Sequence, residues 1–176
     1  MKLWNWIGFG VVTLSGTILH FLYDWTGGCI WVAPFSGVNE STWEHMKLLF
    51  WPLFLFALVQ RQFFREQENF WRVKLWSTLL GLALIPVLFY TYNGAFGKSP
   101  DWINIAIFYI SAGAVSLFEG WAFKNLRRTS RLAVAVLCLV GVLFVVFTFA
   151  PPRLPLFQDP TEQIKTTTPV GLVVSS

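Results

Sequence analysis

The sequence predicts an all-α, polytopic transmembrane helical bundle of about five spans, with the N-terminus inside and the C-terminus outside. Three observations carry this. Apolar residues make up 55% of the 176-residue chain and charged residues only 12%, about half the charge of a soluble domain. The apolar residues gather in runs near the roughly 20 residues that a helix needs to cross about 30 Å of hydrocarbon. The Lys and Arg fall in short blocks between those runs, as in cytoplasmic membrane loops. The ten Trp agree, because Trp gathers where lipid meets the wet headgroups.

The first span runs Leu3 to Tyr23, anchored by Trp4 and Trp6. A single Lys precedes it and no small-residue cleavage site follows, so it reads as an uncleaved span rather than a removed signal peptide. A loop rich in Gly, Pro and aromatics extends from Asp24 to about Val38. The second span holds the motif residues and is treated below. Arg61 to Lys74 reads as a polar, basic link, and Leu75 to Tyr92 as a third span interrupted by Pro86. Trp102 to Phe123 is a fourth, followed by Lys124, Arg127, Arg128 and Arg131; Leu132 to Ala150 is the fifth. This organisation is a five-helix transmembrane domain over 1–150 and an extracytoplasmic tail over 151–176, Pro-rich and then Thr-rich, with a disordered end.

Orientation follows from the basic residues near the span ends. The links after spans two and four hold most of them and are assigned to the cytoplasm, with the spans in the cell membrane. The formal charge of +4 does not indicate nucleic acid, because the basic residues form no single stripe. The partners implied are the bilayer itself, a lipid-like ligand and a second copy of the chain. Cys29 and Cys138 differ in depth and have no metal-site spacing, so no disulfide is expected.

The second span is the informative one. Its purely apolar stretch, Leu48 to Val59, has 12 residues, too few to cross a bilayer. The helix must therefore extend back through Lys47, His45 and Glu44 to about Ser41. Such residues either face a bundle interior and pair there, or lie at a thinned interface with Lys47 and Arg61 snorkelling. In Val38-Asn39-Glu40-Ser41-Thr42-Trp43-Glu44-His45-Met46-Lys47, Glu40 and Glu44 are four apart, as are Ser41 and His45, so on a helix each pair shares a face. Ser41 and Glu44 also form a capping box and Asn39 is a good N-cap, which explains those three residues but not Glu40 or His45.

His20 and Asp24, also four apart, close the first span at the same depth. The chain has only two His, and both stand beside carboxylates. His20, Asp24 and His45 are the candidate metal ligands, for Zn²⁺ or another divalent metal. Glu40 and Glu44 are the candidate acid–base residues. Asn39, Ser41, Tyr90 and Asn93 are the candidate supports around them. Asn104 lies at the same depth. The tail, apolar between its prolines, either folds over the outer mouth as a lid or extends away. Glu119, toward the other end, is expected to pair with Lys124 or a backbone group.

Two stretches, Leu19-His20-Phe21-Leu22-Tyr23-Asp24-Trp25 and Val38 to Leu48, resemble an uncharacterised bacterial integral membrane protein family, a domain of unknown function. Its signature is VNES-x-WEH-x-K after a His-bearing helix. Phe147-Thr148-Phe149 and the segment from Pro151-Pro152 to Asp159-Pro160 resemble that family's last helix end and Pro-rich tail. After Asp159-Pro160 the family pattern has a Gly/Tyr-containing close, where this chain has Thr161 and a Thr run. The resemblance implies a membrane protein of unassigned activity and marks the His and Glu residues. A weaker similarity, in site chemistry alone, is to membrane hydrolases of the alkaline ceramidase type, which have more helices and a further metal-binding His.

Four functions compete at this stage. The first is a metal-binding, hydrolase-like or acid–base site acting on a lipid-like substrate at the outer face. The second is haem binding through His20 and His45. The third is a small transporter or proton relay through the carboxylates. The fourth is a non-catalytic scaffold subunit whose polar motif merely caps the second helix.

Overall fold

The computed structural model describes residues 2–97, 100–126 and 132–159. It contains five α-helices: α1 Lys2–Trp25, α2 Thr42–Phe63, α3 Phe70–Phe96, α4 Asp101–Asn125 and α5 Leu132–Phe149. A short 3-10 turn, Pro155–Phe157, follows. Among the described residues there is no strand. α1, α3, α4 and α5 are each long and apolar enough to cross a membrane.

The helix α2 is the exception, for a reason its surroundings explain. At 22 residues it spans about 33 Å at roughly 1.5 Å per residue, the length of a crossing. Its composition is less apolar because it is the helix most enclosed by the others, with half of its residues buried. α1, α4, α3 and α5 follow one another around it, and α2 packs on all four. Polar residues on such a helix meet protein rather than hydrocarbon. Lys47 is fully buried and Glu44 nearly so, so the segment before Leu48 lies inside the bundle; it is not an exposed interface relying on snorkelling.

In lipid there is little hydrophobic force between helices, so contact depends on close packing and interhelical hydrogen bonds. Two glycines permit that packing. A Cβ on Gly16 of α1 would lie 2.4 Å from the Phe108 ring, and one on Gly81 of α3 would lie 2.6 Å from Val115 and 2.8 Å from Leu49. The core falls in two parts. Val12, Leu49, Leu53, Ile85, Phe108 and Val115 join α1 to α4, while Trp43, Phe50, Leu82, Leu137 and Phe144 tie α5 to α2 and α3.

Several boundaries differ from the sequence reading. The expected Arg61–Lys74 link is mostly helix: α2 runs to Phe63, α3 starts at Phe70, and only 64–69 connects them. α3 continues through Pro86 without interruption. A proline inside a helix removes one backbone hydrogen bond but need not end it when neighbouring helices hold both sides. Lys74 thereby becomes a buried helical residue. It, and not Lys124, takes Glu119, with its Nζ 2.7 Å from both carboxylate oxygens; Ser77 Oγ donates to the same carboxylate at 3.0 Å. Both cysteines are free. The disorder expected for the tail end falls on residues outside those described.

Candidate functional site

The site is built at the end of the bundle where α1 finishes and α2 begins. The loop between them turns sharply at Gly27 and Gly28, whose φ values of 66° and 79° lie in the left-handed region that glycine enters without Cβ strain. Its later part is tied down on two sides. Ser36 accepts the Tyr23 N–H at 2.9 Å and donates to the Leu19 carbonyl, holding the loop to α1. On the α2 side, Trp51 Nε1 donates to the Pro34 carbonyl at 2.9 Å and Lys47 Nζ to the Ala33 carbonyl at 2.8 Å. Lys47 also pairs with Glu44 at 2.6 Å and donates to Thr148 of α5 at 3.1 Å. Glu44 in turn accepts the Val38 N–H at 2.8 Å.

These bonds redistribute the roles read from the motif. Ser41 is the N-cap of α2, its hydroxyl accepting the Glu44 N–H. The reciprocal half of the capping box is changed, because the Glu44 carboxylate reaches past Ser41 to the Val38 N–H and to Lys47. Asn39 is not the cap: its Oδ1 accepts the Ser41 N–H at 2.9 Å, an Asx turn leading into the helix. Since α2 begins only at Thr42, Glu40 lies in the loop and shares no helical face with Glu44. Glu44 is committed to the loop and Lys47, whereas Glu40 is turned toward the histidines.

Glu40 is the centre of the cluster. Its Oε1 lies 3.7 Å from His20 Nε2 and its Oε2 3.7 Å from His45 Nε2. The two imidazole centroids are 5.7 Å apart. His45 Nδ1 lies 3.0 Å from the Ser41 carbonyl. A carbonyl can only accept, so Nδ1 carries the hydrogen in that bond and a neutral His45 presents its Nε2 lone pair to the site. The contacts to Glu40 are ion-pair distances, longer than hydrogen bonds. Loose spacing of this kind is common in catalytic groups before substrate is bound. The Glu40 N–H donates to Asp159 Oδ2 at 3.2 Å, so the tail folds back over this end. Leu156 and Phe157 hold it there by packing with Trp43, Phe147 and their neighbours.

A cavity of about 130 Å³ adjoins the cluster, lined by Gly16, Thr17, His20 and Phe21 of α1, His45 and Leu48 of α2, and Asn104, Ile105, Phe108 and Tyr109 of α4. Thr17, Phe21, Ile105 and Tyr109 are exposed, so it opens sideways through the surface between α1 and α4 rather than along the bundle axis. Thr17 and Tyr109 face one another across it, their hydroxyls 3.5 Å apart.

The expected metal set does not assemble. Asp24 stays exposed at the end of α1, one turn beyond His20, while Glu40 approaches from the loop. Among the described residues, no group of three or more His, Cys, Asp or Glu is arranged to hold a metal ion. The geometry does not favour haem ligation by both rings, since each Nε2 is turned to the same Glu40 carboxylate at 3.7 Å. Tyr90 packs against Phe89 and Asn93 donates to the Phe89 carbonyl at 2.8 Å; neither lines the cavity.

Thr17, Tyr109 and Lys47 went unrecognised in the sequence as site residues. Lys47 carried a usable signal, a lysine three residues after a glutamate in a segment that must be buried. Thr17 and Tyr109 carried none, because one polar residue per helix in an apolar span is ordinary.

One family description, that of a family of unknown function, DUF6512, matches residues 1–165. The chain belongs to this family. No curated protein and no solved structure matches it. This DUF6512 protein is thus an all-helical chain with four membrane-compatible helices packed around a fifth, and its chemistry must be read from its own side chains.

Proposed function

We propose that this DUF6512 protein is a multi-pass protein of the cell membrane whose His20–Glu40–His45 cluster is an acid–base site for a lipid-like substrate. The substrate enters sideways from the bilayer between α1 and α4. The observation that carries the reading is the Glu40 carboxylate facing Nε2 of both histidines at 3.7 Å, beside a cavity open to the lipid-facing surface. The alternation of basic and non-basic links supports putting this end on the extracytoplasmic side.

The cluster suits hydrolysis or group transfer at an ester-type linkage. His45 Nε2 takes the proton of the attacking water or hydroxyl as that oxygen bonds to the reacting centre. Its ring is oriented by the Nδ1–H bond to Ser41, and the Glu40 carboxylate stabilises the imidazolium that forms. The imidazolium of His45 then returns that proton to the departing oxygen, while His20 stands on the other side of the Glu40 carboxylate and helps position it. The cavity of about 130 Å³ is below the roughly 300–1,000 Å³ of whole-ligand pockets, so it holds the reacting linkage while the chains remain in the bilayer.

The test is turnover of a panel of fluorescent long-chain ester lipids by the purified protein in vesicles. Wild type is compared with His45→Ala and with Glu40→Gln. Product formed by wild type and reduced at least 100-fold in both variants supports the reading, given the roughly 10²–10⁴-fold contribution of general acid–base catalysis. Equal product from all three, or none from wild type across the panel, goes against it and in favour of a scaffold role.

A further inference from the structure

The other end of the bundle carries a second feature that the acid–base cluster does not use. A groove of about 630 Å³ runs between α1 and α4, lined among others by Trp6, Phe9, Leu117, Trp121 and Lys124. It exists because α4 offers glycines there. A Cβ at Gly113 would meet only the Phe9 ring, at 3.9 Å. The floor is closed by Asn5, whose side chain donates to the Ser116 carbonyl at 3.2 Å. In volume the groove lies within the roughly 300–1,000 Å³ typical of ligand sites. Open to hydrocarbon and lined mostly by apolar side chains, it must be filled by something with an apolar body.

Its rim says what the other part of that body is. Lys124 is exposed, and among the described residues no carboxylate lies within ion-pair distance of it, because Glu119 is held by Lys74. The end of the chain's membrane domain to which it belongs is strongly basic. Nine of the 13 Lys and Arg fall in the start of α1, the 61–74 stretch and the 124–131 stretch, against two of the nine Asp and Glu. Trp6 and Trp121 line the groove near the helix ends, and indoles in such places sit beside headgroups.

We infer that the α1–α4 groove at the basic end binds one anionic phospholipid, its acyl chain along Phe9 and Leu117 and its phosphate at Lys124. A second copy of the chain is the competing occupant, since a floor of small residues also suits helix packing. Charge disfavours it. Two copies inserted in the same orientation would bring two Lys124 and two basic ends together, whereas an anionic headgroup neutralises them.

The test uses the full chain in phosphatidylcholine vesicles containing a few per cent of a phosphatidylglycerol that bears a photoactivatable diazirine on one acyl chain. Labelled peptides are mapped after irradiation. The expected result is labelling concentrated within 5–9 and 113–125, competed by unlabelled phosphatidylglycerol and not by phosphatidylcholine. Lys124→Glu should weaken that competition at least fivefold, in line with about 1 kcal/mol per basic residue near a membrane surface. Gly113→Phe, which has space for its side chain, should block labelling of the groove while helicity is retained. Labelling spread evenly over lipid-facing helices, competition equal for both lipids, or indifference to both variants would overturn the inference. So would a dimer that Gly113→Phe dissociates, which would assign the groove to a second copy.

Discussion

Replacing Lys47 with Met tests the frame that holds the site. The ammonium of Lys47 is fully buried and makes three contacts: Glu44 at 2.6 Å, the Ala33 carbonyl at 2.8 Å and Thr148 at 3.1 Å. Methionine fills much the same volume, so no large cavity opens. What remains is a buried Glu44 carboxylate whose surviving partner is the Val38 N–H. Breaking a buried pair from one side costs about 3–5 kcal/mol, because the other charge is left uncompensated. At about 2–4 °C per kcal/mol for a chain of this size, the midpoint should fall by roughly 6–20 °C. The assay is thermal unfolding in mild detergent, followed by intrinsic Trp fluorescence and circular dichroism. Adding Glu44→Gln should recover part of the loss, since the amide oxygen still accepts from Val38 and no charge is stranded. A fall below about 3 °C for Lys47→Met, or a further fall on adding Glu44→Gln, would refute the buried-pair account.

Lys74→Met should cost a comparable 3–5 kcal/mol, as it strands Glu119 between α3 and α4, and the same melting assay reads it. Gly81→Leu should cost at least about 1–3 kcal/mol by overpacking. Its side chain would be driven into Val115 and Leu49, and cross-linking between cysteines placed on α3 and α4 would report their separation. Asp159→Ala removes the acceptor of the Glu40 N–H. It should cost about 1 kcal/mol in stability yet lower turnover of the ester-lipid panel more than its melting change explains, because the loop bearing Glu40 loses an anchor. Under the proposed roles His45→Gln should remove activity at every pH, while His20→Gln, which leaves His45 and Glu40 in place, should lower turnover only in part.

The membrane-compatible helices were legible in the sequence because the bilayer imposes a length and an apolar character on each crossing independently of what surrounds it. The ends of α1, α4 and α5 accordingly fall within two residues of the reading from composition. The 61–74 stretch was not read correctly, since its charges suggested a link. Lys74 is tolerated in a helix only because Glu119, 45 residues away in sequence, arrives beside it. The same limit applied at the site. The residue types, the depth of His20 and His45, and the need to bury the start of the second helix could all be read along the chain.

Which carboxylate serves the histidines could not. Periodicity put Glu40 and Glu44 on one helical face, yet the helix begins at Thr42, and the Ala33–Val38 loop pulls Glu44 onto Lys47. Glu40 is thereby left between His20 and His45. The exclusion of Asp24, the closing of the tail onto Glu40 and the sideways opening between α1 and α4 are likewise tertiary outcomes. By itself the sequence determined that this chain forms helices long and apolar enough to cross a membrane and that both histidines lie, with carboxylates, at one end. Those properties follow from the transfer of each segment into lipid. The pairing of those polar residues depends on contacts between segments far apart in the chain, and only the packed bundle decided it.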